Sequence, residues 1–315
     1  MRIFVTGSTG VVGRRLVPLL VGAGHQVTAV ARDRAKAERV EKQGAAAAVL
    51  SLFDPDAVAA AVRGHEVVVN LATHIPAASR AFLPGAWREN DRIRREASRI
   101  LADAALAAGC GRFVQESITL TYPDSGEEWI TEERPVRPAR YVRSVLDAEA
   151  QAERVTAAGA TGVVLRFALF YGPDSGHTLD TIRFVRKGMA PTFGSADGFV
   201  SSISTDDAAA AVVAALGVPA GVYNVADDEP VRRREYFESL ARTLGVPAPT
   251  LPPAWTTFLA GSLGETIARS QRVSNGKLKR AGEWAPRYPS VREGWQAVCG
   301  ELGLAGYTRP AGAGA

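Results

Sequence analysis

Three glycines spaced three residues apart, Gly7, Gly10 and Gly13, directly follow an apolar run at the start of the chain. Residues 3–5 form that run and an amphipathic stretch follows at residues 11–20, so the pattern predicts a strand, a tight turn and a helix. Glycine adopts conformations that a Cβ resists, and it allows a ligand to approach the backbone closely. The helix N-terminus then offers unpaired N–H groups and a positive dipole end to a pyrophosphate. We expect a dinucleotide to be bound by Gly7, Ser8, Thr9, Gly10, Val11, Val12 and Gly13.

Strand-like and helix-like segments alternate through the first half of the 315 residues. Strands are predicted at residues 2–6, 26–31, 47–50, 66–71, 112–116 and 162–167, and helices at 11–23, 34–43, 56–62, 88–108 and 139–158. This alternation predicts an α/β fold with a doubly wound parallel sheet of the Rossmann type. We expect a dinucleotide-binding domain over residues 1–170, with sheet returns near 200–225. A smaller C-terminal substrate-binding lobe is expected over 171–305, and a disordered tail over 306–315.

Composition narrows the class of partner. The chain is 46% hydrophobic and 22% charged with a net charge of +4, which indicates an ordinary globular protein. Its densest arginine clusters, at residues 92–95 and 232–234, are short and lie among acids, so we expect solvated helix faces and no nucleic acid. No apolar run approaches the roughly 18 residues of a membrane span. We therefore expect no membrane. Cys110 and Cys299 are far apart and lack metal-ligand spacing, so we expect no metal and a reducing, cytoplasmic location. The expected partner is a small-molecule substrate.

The end of the second strand indicates which nucleotide is bound. An acid at this point binds the free ribose 2′-hydroxyl of NAD, whereas an arginine accommodates the 2′-phosphate of NADP. Here Ala31 is followed by Arg32, and Asp33 comes one position later, where it can cap the next helix. We therefore expect NADP in preference to NAD, with a plain surface role for Arg32 as the alternative. Asp54 suits either an adenine contact or a helix cap.

These motifs resemble the extended short-chain dehydrogenase/reductase superfamily, of the NAD(P)-dependent epimerase/dehydratase type. The resemblance runs from residue 1 to about residue 300. It rests on the glycine loop and on residues 67–73 (VVVNLAT), 111–117 (GRFVQES), 165–173 (LRFALFYGP), 204–208 (STDDA) and 222–225 (VYNV). It implies that Leu71, Ala72 and Thr73 line the cofactor, and that Phe167, Ala168 and Leu169 flank the nicotinamide.

The resemblance also implies a tyrosine with a lysine four residues later. In that family the lysine holds the ribose and lowers the tyrosine pKa, so that the tyrosine can exchange a proton with the substrate. Tyr141 stands at the tyrosine position, and Ser117 or Thr119 at the position that orients the substrate oxygen. The lysine position holds Val145 instead, and no lysine occurs between Lys42 and Lys187.

The sequence contains the complete cofactor motif but lacks the lysine of the catalytic pair. Three functions are compatible with this combination. The first is an NADP-dependent oxidoreductase acting on a small organic carbonyl or alcohol, with Tyr141 as proton donor. The second is a non-redox enzyme, such as an epimerase, dehydratase or cyclase, in which His74 or Glu116 moves protons. The third is an NADP-binding regulator without turnover.

The later part of the chain offers further candidates. Arg269 or Arg272 suits a diphosphate, or else a solvated helix face. Four aromatic residues suit either a pocket wall or the core: Trp87, Trp129, Trp255 and Phe258. A homodimer through the helices at 88–108 and 139–158 is also expected.

Overall fold

The structure is a computed structural model that describes residues 1–76, 81, 83 and 85–304, so the tail expected at 306–315 lies outside the described residues. Its strands are β1 (Arg2–Thr6), β2 (Gln26–Ala31), β3 (Ala46–Val49), β4 (Val67–Asn70), β5 (Arg112–Ile118), β6 (Trp129–Ile130), β7 (Thr161–Phe167), β8 (Leu169–Tyr171), β9 (Phe199–Val200), β10 (Ser202–Ser204), β11 (Gly221–Val225), β12 (Val231–Arg232) and β13 (Arg272–Val273). Its helices are α1 (Gly13–Gly22), α2 (Arg34–Glu41), α3 (Pro55–Val62), α4 (Arg88–Arg92), α5 (Ser98–Ala107), α6 (Val145–Ala157), α7 (Gly176–Arg186), α8 (Thr205–Ala214), α9 (Arg233–Leu244), α10 (Gly261–Ala268), α11 (Gly276–Gly282) and α12 (Val291–Glu301).

Seven parallel strands form the central sheet in the order β11-β7-β5-β4-β1-β2-β3. The chain fills one side of β1 with β2 and β3 and then returns to the other side with β4. The crevice between β1 and β4 is therefore the topological switch point, where open α/β sheets bind their ligands. The fold class expected from the sequence, a doubly wound Rossmann sheet, is confirmed.

Both faces of the sheet are covered, because side chains alternate along each strand. In β1, Val5 packs with Leu16 of α1 on one face, and Phe4 packs with Leu101 of α5 on the other. All four residues are fully buried. The sheet is therefore packed on both faces, and it supports the residues that follow the carboxyl ends of its strands.

A separate apolar cluster lies in the C-terminal part of the chain. Trp295 of α12 is fully buried there, and its ring centroid lies 5.5 Å from those of Tyr171 and Tyr236. Strand β11 nevertheless belongs to the main sheet. The division into domains at residue 170 stays a prediction.

Two predicted helices differ from the structure. The helix expected at 139–158 begins only at Val145, because Ala139 is extended (ψ 160°) and Arg140–Val142 form a 3-10 turn. The helix expected at 88–108 contains a π-helical segment, Ile93–Ala97, between α4 and α5. Both differences lie beside Tyr141, and they change which side chains reach it.

Candidate active site

The glycine loop follows β1 and lies directly against the end of β4. Gly7 has φ +66°, and a Cβ there would lie 2.3 Å from the carbonyl oxygen of Leu71. A Cβ on Gly13 would lie 2.2 Å from the carbonyl oxygen of Gly7. Since no side chain fits at either position, the loop keeps a bare backbone surface at the switch point.

The start of α1 leaves N–H groups available. Val12, the N-cap residue, provides no side-chain cap. Within the described part of the chain, the N–H groups of Val11, Val12 and Gly13 donate to no acceptor, whereas that of Gly10 donates to Gly7 O at 2.9 Å. Ser8 Oγ instead donates to Val30 O at 2.6 Å and ties the loop to β2. These groups fit a dinucleotide pyrophosphate, with the serine side chain holding the loop rather than the ligand.

The residues after β2 divide their roles as the sequence suggested. The Asp33 carboxylate accepts from Lys36 N at 2.9 Å and from Lys36 Nζ at 2.8 Å, which caps α2 and lowers the pKa of Asp33. Arg32 is exposed and has no ion pair among the described residues. Asp54 Oδ1 accepts from Ala57 N at 3.1 Å and caps α3. Arg32 is thus the free charge at the end of β2, and Asp54 has a structural role whether or not it also contacts adenine.

The residues expected at the nicotinamide side lie at the ends of β4 and β7. Leu71 and Ala72 are each 8% exposed, while Thr73 is exposed. Phe167 and Ala168 are buried, and Leu169 is 36% exposed. Because β4 and β7 are parallel and flank β5, both segments lie at the same edge of the sheet. Their role in cofactor binding stays a prediction.

Tyr141 lies in the 3-10 turn ahead of α6. Its ring packs edge-on to Trp87, with centroids 4.5 Å apart, and its N–H donates to Ser262 Oγ at 3.2 Å. Its hydroxyl makes no hydrogen bond with a described residue, and it is not sealed from solvent. Burial raises the pKa of Tyr141 to about 12, against the opposing positive charge of Arg94. The side chain therefore presents a neutral phenol with a free hydrogen-bond donor.

The lysine position gives Tyr141 no assistance. Val145 begins α6 and is fully buried in the core. Since Tyr141 precedes the helix, the two side chains do not share an α-helical face. Helix α6 therefore supplies neither a charge nor a hydrogen bond to the phenol.

Of the two candidates for orienting the substrate, only one has a free hydroxyl. Ser117 Oγ is fully buried and donates in a short hydrogen bond to Glu149 Oε1. The Thr119 hydroxyl makes no hydrogen bond with a described residue, and Thr119 is 2% exposed. Ser117 thus holds the interior together, and Thr119 is the candidate that can meet a ligand.

A buried charge network lies beneath these residues, and sequence reasoning missed it. Arg166 pairs with Glu149 at 2.7 Å, and its Nη1 donates to the Tyr122 hydroxyl at 2.9 Å. Arg94 Nη2 lies 3.5 Å from Glu116 Oε1, although Arg94 Nε and Glu116 Oε2 are buried without a partner in the described structure. Burial raises the pKa of Glu116, opposed by Arg94. Glu116 is therefore an ion-pair partner inside the protein, and His74 is exposed after β4.

The expectation that both arginine clusters form solvated faces is wrong for two residues. Arg94 is 2% exposed, and Arg233 is 1% exposed with its guanidinium donating to the carbonyls of Ser195, Ile267, Ala268 and Arg269. A helical signal for Arg94 was present, because it lies four residues from both Asn90 and Ser98, each of which is 1% exposed. The composition of this segment obscured the signal, because an arginine cluster among acidic residues is typical of an exposed helix face.

The candidates in the later part of the chain also separate. Arg269 Nη1 donates to the carbonyls of Leu120, Tyr122 and Arg137, so it holds backbone rather than facing solvent or a phosphate. The Arg272 guanidinium lies 4.2 Å from the centroid of the Trp129 ring. A core role for the four aromatic residues is wrong, because Trp129, Trp255 and Phe258 are 47%, 69% and 88% exposed, and Trp87 is partly buried against Tyr141.

Among the described helices, none is long and apolar enough to cross a membrane.

Comparison with known proteins agrees with this geometry. The family model described as NAD(P)H-binding matches residues 7–219. A 3-diazoavenalumate denitrifying reductase from a Streptomyces species is 34% identical over 305 residues, covering 93% of this chain and 99% of the relative. A 2-alkyl-3-oxoalkanoate reductase from Shewanella oneidensis is 27% identical, covering 84% and 72%. The human epimerase family protein SDR39U1, solved with NADPH, shares the fold with a TM-score of 0.78 at 21% identity, covering 96% and 100%.

The glycine loop at the switch point of a parallel sheet defines an NAD(P)-binding protein of the Rossmann class. The chain belongs to the extended short-chain dehydrogenase/reductase family, of the NAD(P)-dependent epimerase/dehydratase type. It is an enzyme of the NAD(P)-dependent oxidoreductase/epimerase family.

Proposed function

We propose that the protein is an NADPH-dependent reductase that acts on a small electron-poor organic molecule. The carrying observation is the Tyr141 hydroxyl, which is neutral and has no hydrogen-bond partner among the described residues. The bound cofactor would supply hydride. Tyr141 would donate a hydrogen bond to the substrate atom that gains negative charge, and Thr119 would orient the same atom.

The protonation state of Tyr141 agrees with the role that we propose for it. A phenol with a pKa of about 12 is ionised to only about one part in 10⁵ at pH 7. In this state Tyr141 is a hydrogen-bond donor, which is the form that the reduction of a carbonyl requires.

The substrate must need little help with protons, because no lysine completes the pair. A conjugated carbonyl takes hydride at carbon while its oxygen receives a proton from Tyr141 or solvent. A second candidate is an aryl diazonium, for which hydride replaces N₂ and no proton is needed. The relative from Streptomyces is named as a denitrifying reductase of a diazo compound. Residues 171–304 would supply most of the substrate lobe.

The proposal is tested by hydride transfer. The protein is incubated with 4-deuterated NADPH and three acceptors: a conjugated enone, an unconjugated ketone and an aryl diazonium salt. We expect deuterium in the product of the enone or the diazonium above the rate without protein, and little in that of the plain ketone. Tight NADPH binding with no label in any product would favour the regulator or a non-redox enzyme. Undiminished turnover of the enone by Tyr141→Phe would remove the role of Tyr141.

The choice of NADPH rests on the free charge of Arg32 beside the engaged carboxylate of Asp33. Arg32→Asp should lower the affinity for NADPH relative to NADH by at least about tenfold, because a charge-assisted contact with a phosphate is replaced by repulsion. Arg34→Asp is the matched control, since Arg34 is equally exposed but pairs with Glu38 at 3.4 Å and Glu41 at 3.6 Å. An unchanged NADPH/NADH affinity ratio in Arg32→Asp would refute the assignment.

A further inference from the structure

A cavity of about 630 Å³ lies between the segment that follows β5 and the start of α10. Its lining includes Pro123, Asp124, Arg137, Phe258, Glu265 and Arg269. This volume is in the range of small-molecule sites, which cover roughly 300–1,000 Å³. The nucleotide loop and the glycine cradle are not part of its wall.

Three of the four charged residues in the wall are engaged within the fold. Asp124 accepts from the backbone N–H groups of Ser270 at 2.9 Å and Gly126 at 3.1 Å. Glu265 pairs with Arg269 at 2.8 Å, and the same guanidinium holds three backbone carbonyls.

Arg137 differs from these residues. Its backbone is held, since its N–H donates to Thr121 O at 2.8 Å and its carbonyl accepts from Arg269. Its guanidinium has no hydrogen bond and no ion pair with any described residue. The cavity therefore contains one uncommitted charge, which is positive and is carried on a fixed backbone. A guanidinium fork matches a carboxylate or a phosphate, of which the carboxylate is the smaller group.

Another part of the wall is apolar and exposed. Phe258 is 88% exposed, and no residue of its 3-10 helix, Ala254–Ala260, is buried. The neighbouring Trp255 and Leu259 are 69% and 73% exposed. An aromatic ring placed on Phe258 would remove apolar area from water and gain from ring stacking.

The cavity borders the segment that holds Tyr141. Gly261 lines the cavity, and the adjacent Ser262 accepts the Tyr141 N–H at 3.2 Å. Arg137 precedes Tyr141 by four residues in the same loop. A molecule bound at Arg137 and Phe258 would therefore lie beside the segment that carries Tyr141, although Tyr141 itself is not part of the cavity wall.

We infer that this cavity binds a small aromatic carboxylic acid, with Arg137 pairing its carboxylate and Phe258 covering its ring. The inference rests on the proposed function, because it names the substrate class of that site. Arg137 would set which end of the substrate points away from Tyr141, and Phe258 would set its aromatic character.

Calorimetry on the NADPH-loaded protein tests the site without turnover. The probes are benzoate, phenylacetate and trans-cinnamate, each compared with its primary amide. We expect at least one acid to bind about tenfold or more tightly than its amide, and Arg137→Gln to abolish that preference. Arg140→Gln is the matched control, since Arg140 is exposed in the same loop but does not line the cavity. Phe258→Ala should weaken acid and amide alike.

Each result decides the inference. Equal affinity for acid and amide, a preference that survives Arg137→Gln, or no binding of any of the three acids would overturn it. NADPH affinity and the thermal midpoint of each variant show whether it is folded. Preserved discrimination between acid and amide without deuterium transfer would reject the proposed reaction and leave this site standing, and the reverse result would reject the site alone.

Discussion

The glycine loop can be tested by adding one methyl group at Gly13. A Cβ at this position would lie 2.2 Å from Gly7 O and 2.7 Å from the Cα of Ser8. Ordinary contact begins near 3.4 Å, so backbone would have to move by about 1.2 Å. The loop is held on both sides, by the Ser8 hydroxyl on Val30 O and by Gly7 against Leu71. We expect Gly13→Ala to displace the N–H groups that meet the pyrophosphate, and to lower stability by about 1–3 kcal/mol as overpacking does.

NADPH titration followed by fluorescence measures the first effect, and urea unfolding measures the second. The dissociation constant for NADPH should rise at least about tenfold, which is about 1.4 kcal/mol. Gly22→Ala is the control in the same helix, because a Cβ there meets nothing within 4 Å. It should keep NADPH affinity and gain a few tenths to about 1 kcal/mol of stability. An NADPH affinity of Gly13→Ala within twofold of wild type would refute the assignment of the loop.

Two further predictions concern buried charges. Arg94→Met should lower the free energy of unfolding by about 3–5 kcal/mol, because it leaves Glu116 buried without its partner. The control Arg95→Met removes only an exposed pair and should cost under about 1 kcal/mol. Similar urea midpoints for the two variants would contradict this prediction. Burial raises the pKa of Asp227 well above its usual 3.8, so the folded state keeps a proton that the unfolded state releases. Stability should therefore fall as the pH rises above about 4, by up to about 1.4 kcal/mol per pH unit until the pH passes the folded-state pKa. Asp227→Asn should remove this component, and identical pH slopes in urea unfolding for wild type and variant would count against it.

Much of the fold was predictable because it follows from local patterns. The predicted bounds of β1 and β2 agree with the structure at both ends, since each is an apolar run closed by a polar turn or glycine. The glycine spacing likewise predicted the tight turn between β1 and α1, where Gly7 has φ +66°. Asp33 and Asp54 were recognisable as helix caps because the signal lies within three residues of each.

Other features were not predictable from the sequence, mainly because they depend on contacts between distant segments. Nothing near Arg94 in the sequence indicates Glu116, which lies 22 residues later and meets it only across the packed helix and strand. Ser117 was a candidate because of its distance in sequence from Tyr141, yet its hydroxyl is taken by Glu149, 32 residues away. The late start of α6 follows from local backbone geometry. The spacing of apolar residues does not reveal it, because a 3-10 turn and the first turn of an α-helix bury similar positions.

Cofactor binding and proton transfer are built by different parts of this chain, and they can therefore change independently. The cradle uses backbone of β1, α1 and β4, where steric limits admit only glycine at Gly7 and Gly13. The proton transfer that we propose depends instead on the side chains around Tyr141, where Val145 is fully buried and apolar. A valine at this position leaves the backbone cradle unchanged, but it supplies neither a contact to the ribose nor a charge that would help Tyr141 to form a phenolate near pH 7. The proposed function therefore favours substrates whose reduction needs hydride far more than it needs a proton, which is the chemical property that the conjugated carbonyl and the diazonium share.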